Sequence, residues 1–179
     1  MVRLGLQRMP ILPQSYFVWI NNGAIVFKGT CSFGHHLMIR VYEGGYLEFG
    51  NQVGLSSGCR VGCQNRIVFK PKVRISWECQ FYDTNFHPVV DIMANRLIKM
   101  SAPIIIGEDV WIGHNVIVSK GVRLADGIIV SSGSVVKNSF RIPNCIISGN
   151  PATKVDDGYR VKFNDFRDVE SIVRNDAPV

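Results

Sequence analysis

Between Ile106 and Ile142 every sixth residue is aliphatic: Ile106, Ile112, Val118, Leu124, Val130, Val136 and Ile142. Ile, Leu and Val together fill 49 of the 179 positions, so seven successive hits arise by chance about once in ten thousand. The residue after each is mostly small, and the fifth position of each hexad is mostly apolar (Val110, Val116, Val122, Ile128). A period of six suits neither a helix near 3.6 nor plain strand alternation. It predicts a three-sided prism, with one short strand and one turn per side and one aliphatic residue per side pointing inward. Stacked coils then pair their backbones at about 4.8 Å. Stability comes from that stacking, because a single coil cannot bury its own apolar face.

The rhythm runs upstream with interruptions. Phe49, Leu55 and Val61 keep it; after a slip of two residues Phe69, Ile75 and Phe81 resume it, and Phe27, Phe33 and Ile39 form an earlier set. Cys31, Cys59 and Cys79 fall on fifth positions, which makes them core thiols. Roughly six coils result. Residues 88–103 leave the pattern directly after His87 and predict an excursion from one corner, the usual place for a lid. From Asn164 the apolar residues Phe166, Val169, Ile172 and Val173 stand at helical spacing and predict a short amphipathic helix. The division is therefore 1–155 for an all-β helix with its loop and 156–179 for a tail, while the first 20 residues give no clear element.

Composition narrows the function classes. The net charge of +6 suits ordinary solubility or attraction of an anionic ligand such as a nucleotide cofactor or an acidic saccharide. Basic residues are dispersed without a run or interleaved aromatics, which argues against nucleic acid. No apolar run nears the roughly 20 residues of a membrane span, and no signal peptide is read at the N-terminus. Five cysteines without a C-x-x-C pair fit reduced thiols in a cytoplasmic protein.

The run PIIIGEDVWIGHNVIVSKGVRL, then VSSGSVVKN, then SGNPATKV resembles the hexapeptide-repeat acyltransferases. It is most similar to the branch of maltose, galactoside and xenobiotic acetyltransferases and of capsule O-acetyltransferases. The likeness covers about Phe49 to Val155, with the Trp111-Ile112-Gly113 step, the Gly133 step and the Gly149 step in the family's order. It implies a left-handed parallel β-helix, an exception to the usual right-handed crossover, assembled as a homotrimer with sites between subunits. It implies acetyl-CoA as co-substrate and places the general base on His87, in YDTNFHPVVD. That role suits imidazole, which takes a proton from an attacking hydroxyl near neutral pH. No serine or cysteine stands in a nucleophile motif, so attack on the thioester is direct, with a backbone N–H for the oxyanion.

By the same likeness the cofactor contacts fall on Gly113, His114, Ser131, Ser132 and Gly133, with Lys137 and Lys154 for the phosphates. A solvated corner is the alternative for His114, and surface solubility for the two lysines. The chain departs from the family where Lys137-Asn138 replaces Thr-Lys and where Thr153 lengthens the P-A-K-V step. On the acceptor side, Asp83 and Asn85 are candidates to orient His87 or bind a sugar hydroxyl, turn chemistry being the competing account. Trp77, Glu78, Tyr82 and Phe86 are candidates for the same cleft, the aromatics by stacking on a sugar ring. The expected acceptor is a saccharide hydroxyl of a capsule or surface polysaccharide; an amine acceptor and a non-catalytic β-helix subunit are the alternatives. A zinc enzyme of this architecture needs three converging histidines. Beyond His35-His36 only His87 and His114 remain, so no metal is expected.

Overall fold

The computed structural model describes residues 2–3 and 17–162; the helix expected from Asn164 lies outside the described residues. The chain coils through about six turns of a left-handed β-helix, the hand that the resemblance implies, with three sheets as the faces of the prism that the hexads predict. The first face stacks Val2–Arg3, Cys31–Phe33, Val53–Leu55, Arg74–Ile75, Trp111–Ile112, Ile129–Val130 and Cys145–Gly149 in parallel, and Ala152–Asp157 closes it antiparallel. The second face stacks Phe17–Asn21, Leu37–Val41, Arg60–Cys63, Gln80–Tyr82, Ile117–Ser119 and Val135–Val136. The third stacks Ala24–Phe27, Tyr46–Phe49, Arg66–Phe69, Ile104–Ile106 and Arg123–Leu124. Strands therefore occur inside the first 20 residues, where hydrophobic spacing gave no signal.

Side-chain alternation explains the core. Within each short strand the hexad residue points inward and its neighbour outward, so Ile106, Ile112, Val118, Leu124, Val130 and Val136 are all at most 4% exposed. On the third face the inward column changes character with height. Phe27, Phe49 and Phe69 stack with 5.4 Å between successive ring centroids, and Ile106 and Leu124 continue the column. Each such buried side chain contributes about 1.5–3 kcal/mol by leaving water. All five cysteines are buried free thiols, and burial raises the pKa of Cys31 and Cys145.

One member of the rhythm fails. Ile142 is 54% exposed. In that coil Phe140 bridges to Leu124 and Ile147 pairs with Val130, so the chain reaches the third face two residues early. A short final coil, closed by the antiparallel strand, thus turns Ile142 outward. Ser134, at a fifth position, is fully buried; its hydroxyl donates to the Ser131 carbonyl at 2.6 Å and accepts from the Gly149 N–H at 3.2 Å.

Candidate active site

Two edges of the second face carry the sequence-selected residues. At the edge where the chain passes from the first face to the second, equivalent corners lie above one another and are tied by backbone bonds. The N–H groups of Gly58, Glu78, Asn115 and Gly133 donate to the carbonyls of His35, Ser57, Trp77 and His114 at 2.8 to 3.0 Å. Each donor residue adopts the left-handed conformation that turns the corner, at φ of 76°, 60°, 55° and 73°. Gly and Asn tolerate this readily; Glu78 does not, and its carboxylate folds over the face of Gly58. Trp77 is 54% exposed, and the His114 ring stacks on it at 5.1 Å and 12°. Gly113 is glycine for space, since a Cβ there would sit 2.6 Å from the Ser132 hydroxyl. Trp77, Glu78, Gly113, His114, Ser131, Ser132 and Gly133 therefore form one ladder.

The edge between the second and third faces carries the excursion. It is a β-hairpin: Val89–Asp91 pairs antiparallel with Arg96–Ile98, and the turn between them contains Asn95 at φ 46°. Pairing continues to its root, where Thr84 bridges Ser101 and the Asn85 N–H donates to the Met100 carbonyl at 2.9 Å. The root is pinned to the coil beneath. Both carboxylate oxygens of the fully buried Asp83 accept backbone N–H bonds at 2.8 Å, from Gln64 and Asn65. The Thr84 hydroxyl donates to the Gln64 side-chain oxygen at 2.6 Å and accepts the Phe86 N–H at 3.0 Å. Asp83 thus serves the backbone, and no bond to His87 is found among the described residues.

His87 is exposed in this root, one residue after Phe86. Phe86 is a bulky residue at φ 63°, a conformation that costs energy without glycine. Its ring is held by aromatic neighbours, Tyr42 at 5.5 Å and Tyr82 at 5.6 Å. That packing fixes where the next residue, His87, projects. The hairpin tip beyond is apolar and bare: Ile92, Met93 and Leu97 are 84%, 93% and 70% exposed.

The three-residue strand Gln80–Tyr82 separates the two edges, a span of about 10 Å at roughly 3.3 Å per residue. The other candidates lie apart. Lys137 follows Val135–Val136 at the hairpin's edge, and Lys154 on the closing strand of the first face pairs with Asp157, which raises its pKa. Spacing alone missed Arg40 and Tyr42, which pack beside Phe86. Aligning coils by equivalent position would have found Arg40, since Arg40, Gly62 and Tyr82 share one register. Among the described residues no cluster of three His, Cys, Asp or Glu side chains could hold a metal ion, and no helix is long and apolar enough to cross a membrane.

No family model matches the chain, and no curated protein matches it in sequence. Solved structures do match in fold. The polySia-specific acetyltransferase NeuO is similar at a TM-score of 0.67 and 21% identity, over 85% of this chain and 80% of that one. A hexapeptide-repeat acetyltransferase of Vibrio cholerae O1 biovar eltor, VCA0836, solved with acetyl coenzyme A, is similar at 0.51 and 25%, over 62% of this chain and 60% of its own. AntD, an N-acyltransferase from Bacillus cereus solved as a point mutant with dTDP and coenzyme A, is similar at 0.51 and 18%, over 86% and 91%. The chain has the fold of the hexapeptide-repeat acetyltransferases.

Proposed function

We propose that the protein transfers an acetyl group from acetyl-CoA to a hydroxyl of a saccharide, with His87 as general base. The observation that carries this is the placement of His87: an exposed imidazole on a doubly pinned hairpin root, in a fold shared with acetyltransferases. The acceptor oxygen attacks the thioester carbonyl while His87 removes its proton. The tetrahedral intermediate then collapses, the C–S bond breaks, and the departing thiolate takes the proton from the imidazolium. Asp83 supports this through the backbone that it holds, and Asn85 through its place in the paired root.

Acetyl-CoA would lie along the other edge, against Gly113, Ser131, Ser132 and Gly133 through backbone groups and against His114 through its ring, with Trp77 and Glu78 beside them. Lys137 and Lys154 are the candidates for the phosphates; Lys154 would have to exchange Asp157 for them. Reacting atoms must approach within about 3–3.5 Å, and one chain holds the two edges about 10 Å apart. A homotrimer, in which one subunit's hairpin meets the next subunit's ladder, closes that gap. It also covers the bare tip of Ile92, Met93 and Leu97. Five buried free thiols and a coenzyme A substrate favour the cytoplasm, and the saccharide reading favours a role in polysaccharide biosynthesis. The fold shared with AntD keeps an amine acceptor as a second reading, since the same base serves either nucleophile.

Thiol release from acetyl-CoA with a panel of sugar and amine acceptors is the test. His87→Ala is expected to lower kcat by at least about 100-fold. Near-native turnover in that variant removes His87 from the mechanism, and no release with any acceptor, together with no acetyl-CoA binding, favours a non-catalytic β-helix.

A further inference from the structure

Beside the hairpin root the outer surface of the second face is hollow. A cleft of about 230 Å³ is lined by Met38, Arg40, Tyr42, Gly62, Tyr82 and Phe86. Its floor exists because residue 62 is glycine: a Cβ there would meet the Tyr82 ring at 2.5 Å. The aromatic walls are the rings that hold Phe86, so the cleft adjoins the residue directly before His87. The volume lies below the roughly 300–1,000 Å³ of pockets for drug-sized ligands and suits a single sugar ring.

Charge adds to the case for this hollow. Elsewhere on the prism several basic side chains are matched: Lys70 with Asp126, Lys72 with Glu108, and Arg160 with Asp109. Arg40 instead lies over the Tyr42 ring, with its guanidinium carbon 4.6 Å from the centroid. Neither Arg40 nor its exposed neighbour Arg60 has an ion pair among the described residues. The nearby acids leave the cations uncompensated: Asp83 is buried and bound to backbone N–H groups, and Glu43 is exposed on the turn after Tyr42. A stacked guanidinium keeps its planar fork of donors in a fixed orientation, which matches a carboxylate or phosphate. Aromatic walls suit the apolar face of a sugar ring.

We propose that this cleft is an acceptor subsite for an anionic sugar unit, its ring against Tyr42, Tyr82 and Phe86 and its carboxylate or phosphate on Arg40. The inference rests on the saccharide reading above and specifies it: the acceptor is a negatively charged saccharide, and the hollow delivers a neighbouring hydroxyl toward His87.

The test is calorimetric titration of the full-length protein with a short oligosaccharide of hexuronic acid units, with its carboxyl-reduced neutral counterpart, and with a hexose 6-phosphate against the parent hexose. At least one acid is expected to bind about tenfold more tightly than its neutral partner, and which one does so identifies the anion as carboxylate or phosphate. Added salt weakens that binding. Arg40→Gln is expected to erase the preference while leaving affinity for the neutral sugar unchanged, and Arg60→Gln to reduce the preference only partly. Equal affinity for acid and neutral sugars, absence of binding by both acids, or a preference that survives Arg40→Gln overturns the subsite. Thiol release measured alongside separates the two claims. A preference without acetyl transfer keeps the subsite and refutes the activity; transfer to neutral acceptors without any preference does the reverse.

Discussion

The two edges of the second face solve opposite problems with the same coil. The ladder of His35, Ser57, Trp77, His114 and Ser132 repeats one tight corner without insertion, each turn bonded to the next through its backbone. The opposite edge gives up that regularity at Asp83 and projects a hairpin, then restores the rhythm at Ile104–Ile106. Repetition makes a rigid groove edge whose backbone groups are set by stacking. Insertion makes an arm that carries His87 away from the wall, and it needs its own anchors. The lesson is that a solenoid can hold chemistry on an irregular element only where buried bonds, here those of Asp83 and Thr84, replace the lost coil-to-coil pairing.

The comparison breaks most severely if the arm loses the seat proposed for it on a neighbouring subunit. Replacing Ile92, Met93 and Leu97 together by Asp is expected to dissociate the assembly in sedimentation and to abolish turnover to at least the roughly 100-fold extent of the His87 variant. Melting of a monomer that keeps full activity would show that the tip has no such seat. Next in size is the anchor. Asp83→Ala leaves two part-buried N–H groups without their acceptor, so thermal or urea unfolding should register a loss of about 2 kcal/mol.

Phe86→Ala sharpens the contrast between arm and ladder. It removes the ring that Tyr42 and Tyr82 grip, and kcat should fall about tenfold while KM for acetyl-CoA stays put. Trp77→Ala should do the converse, raising KM for acetyl-CoA several-fold with little change in kcat. A variant pair that shifts both constants alike would dissolve the distinction.

A further effect is one of pH. The Cys63 thiol sits under the hairpin root, and burial first, then the Asp83 carboxylate, push its pKa up to about 12. A folded-state value above the unfolded one favours the protonated form on folding. The stabilisation is therefore complete below the ordinary thiol value near 9 and is lost as pH rises toward about 12. Melting temperature should decline across that window, and Cys63→Ala should flatten the decline.

Much of the prism was legible because its physics is periodic. The hexads from Ile106 to Val136 and the Phe49 and Phe69 sets mark buried columns, and each proved inward-facing. The rhythm failed at Ile142, where a shortened coil changes register without altering local composition. The excursion was legible as a break, but its hairpin form was not. The alternation in Val89–Asp91 and Arg96–Ile98 is weak, and the turn signal rests on Asp91 and Asn95 without a glycine or proline between them. Glycine in the corner ladder announced tight turns, whereas left-handed Phe86 and Glu78 gave no such notice, since their conformations are imposed by tertiary packing. Arg40 was missed for another reason: it lies 46 positions before Phe86 in sequence and joins the site through coil stacking, which only an alignment of successive coils brings out.

Whether the hairpin of one chain works with the corner ladder of another can be read by complementation. In the proposed homotrimer, co-expression of His87→Ala with Ser132→Trp, each inactive alone, would produce mixed trimers. A site shared between subunits predicts recovery to about a quarter of native turnover, because each of the two mixed species then retains one intact site in three. A mixture as inactive as its parents would contradict the shared site.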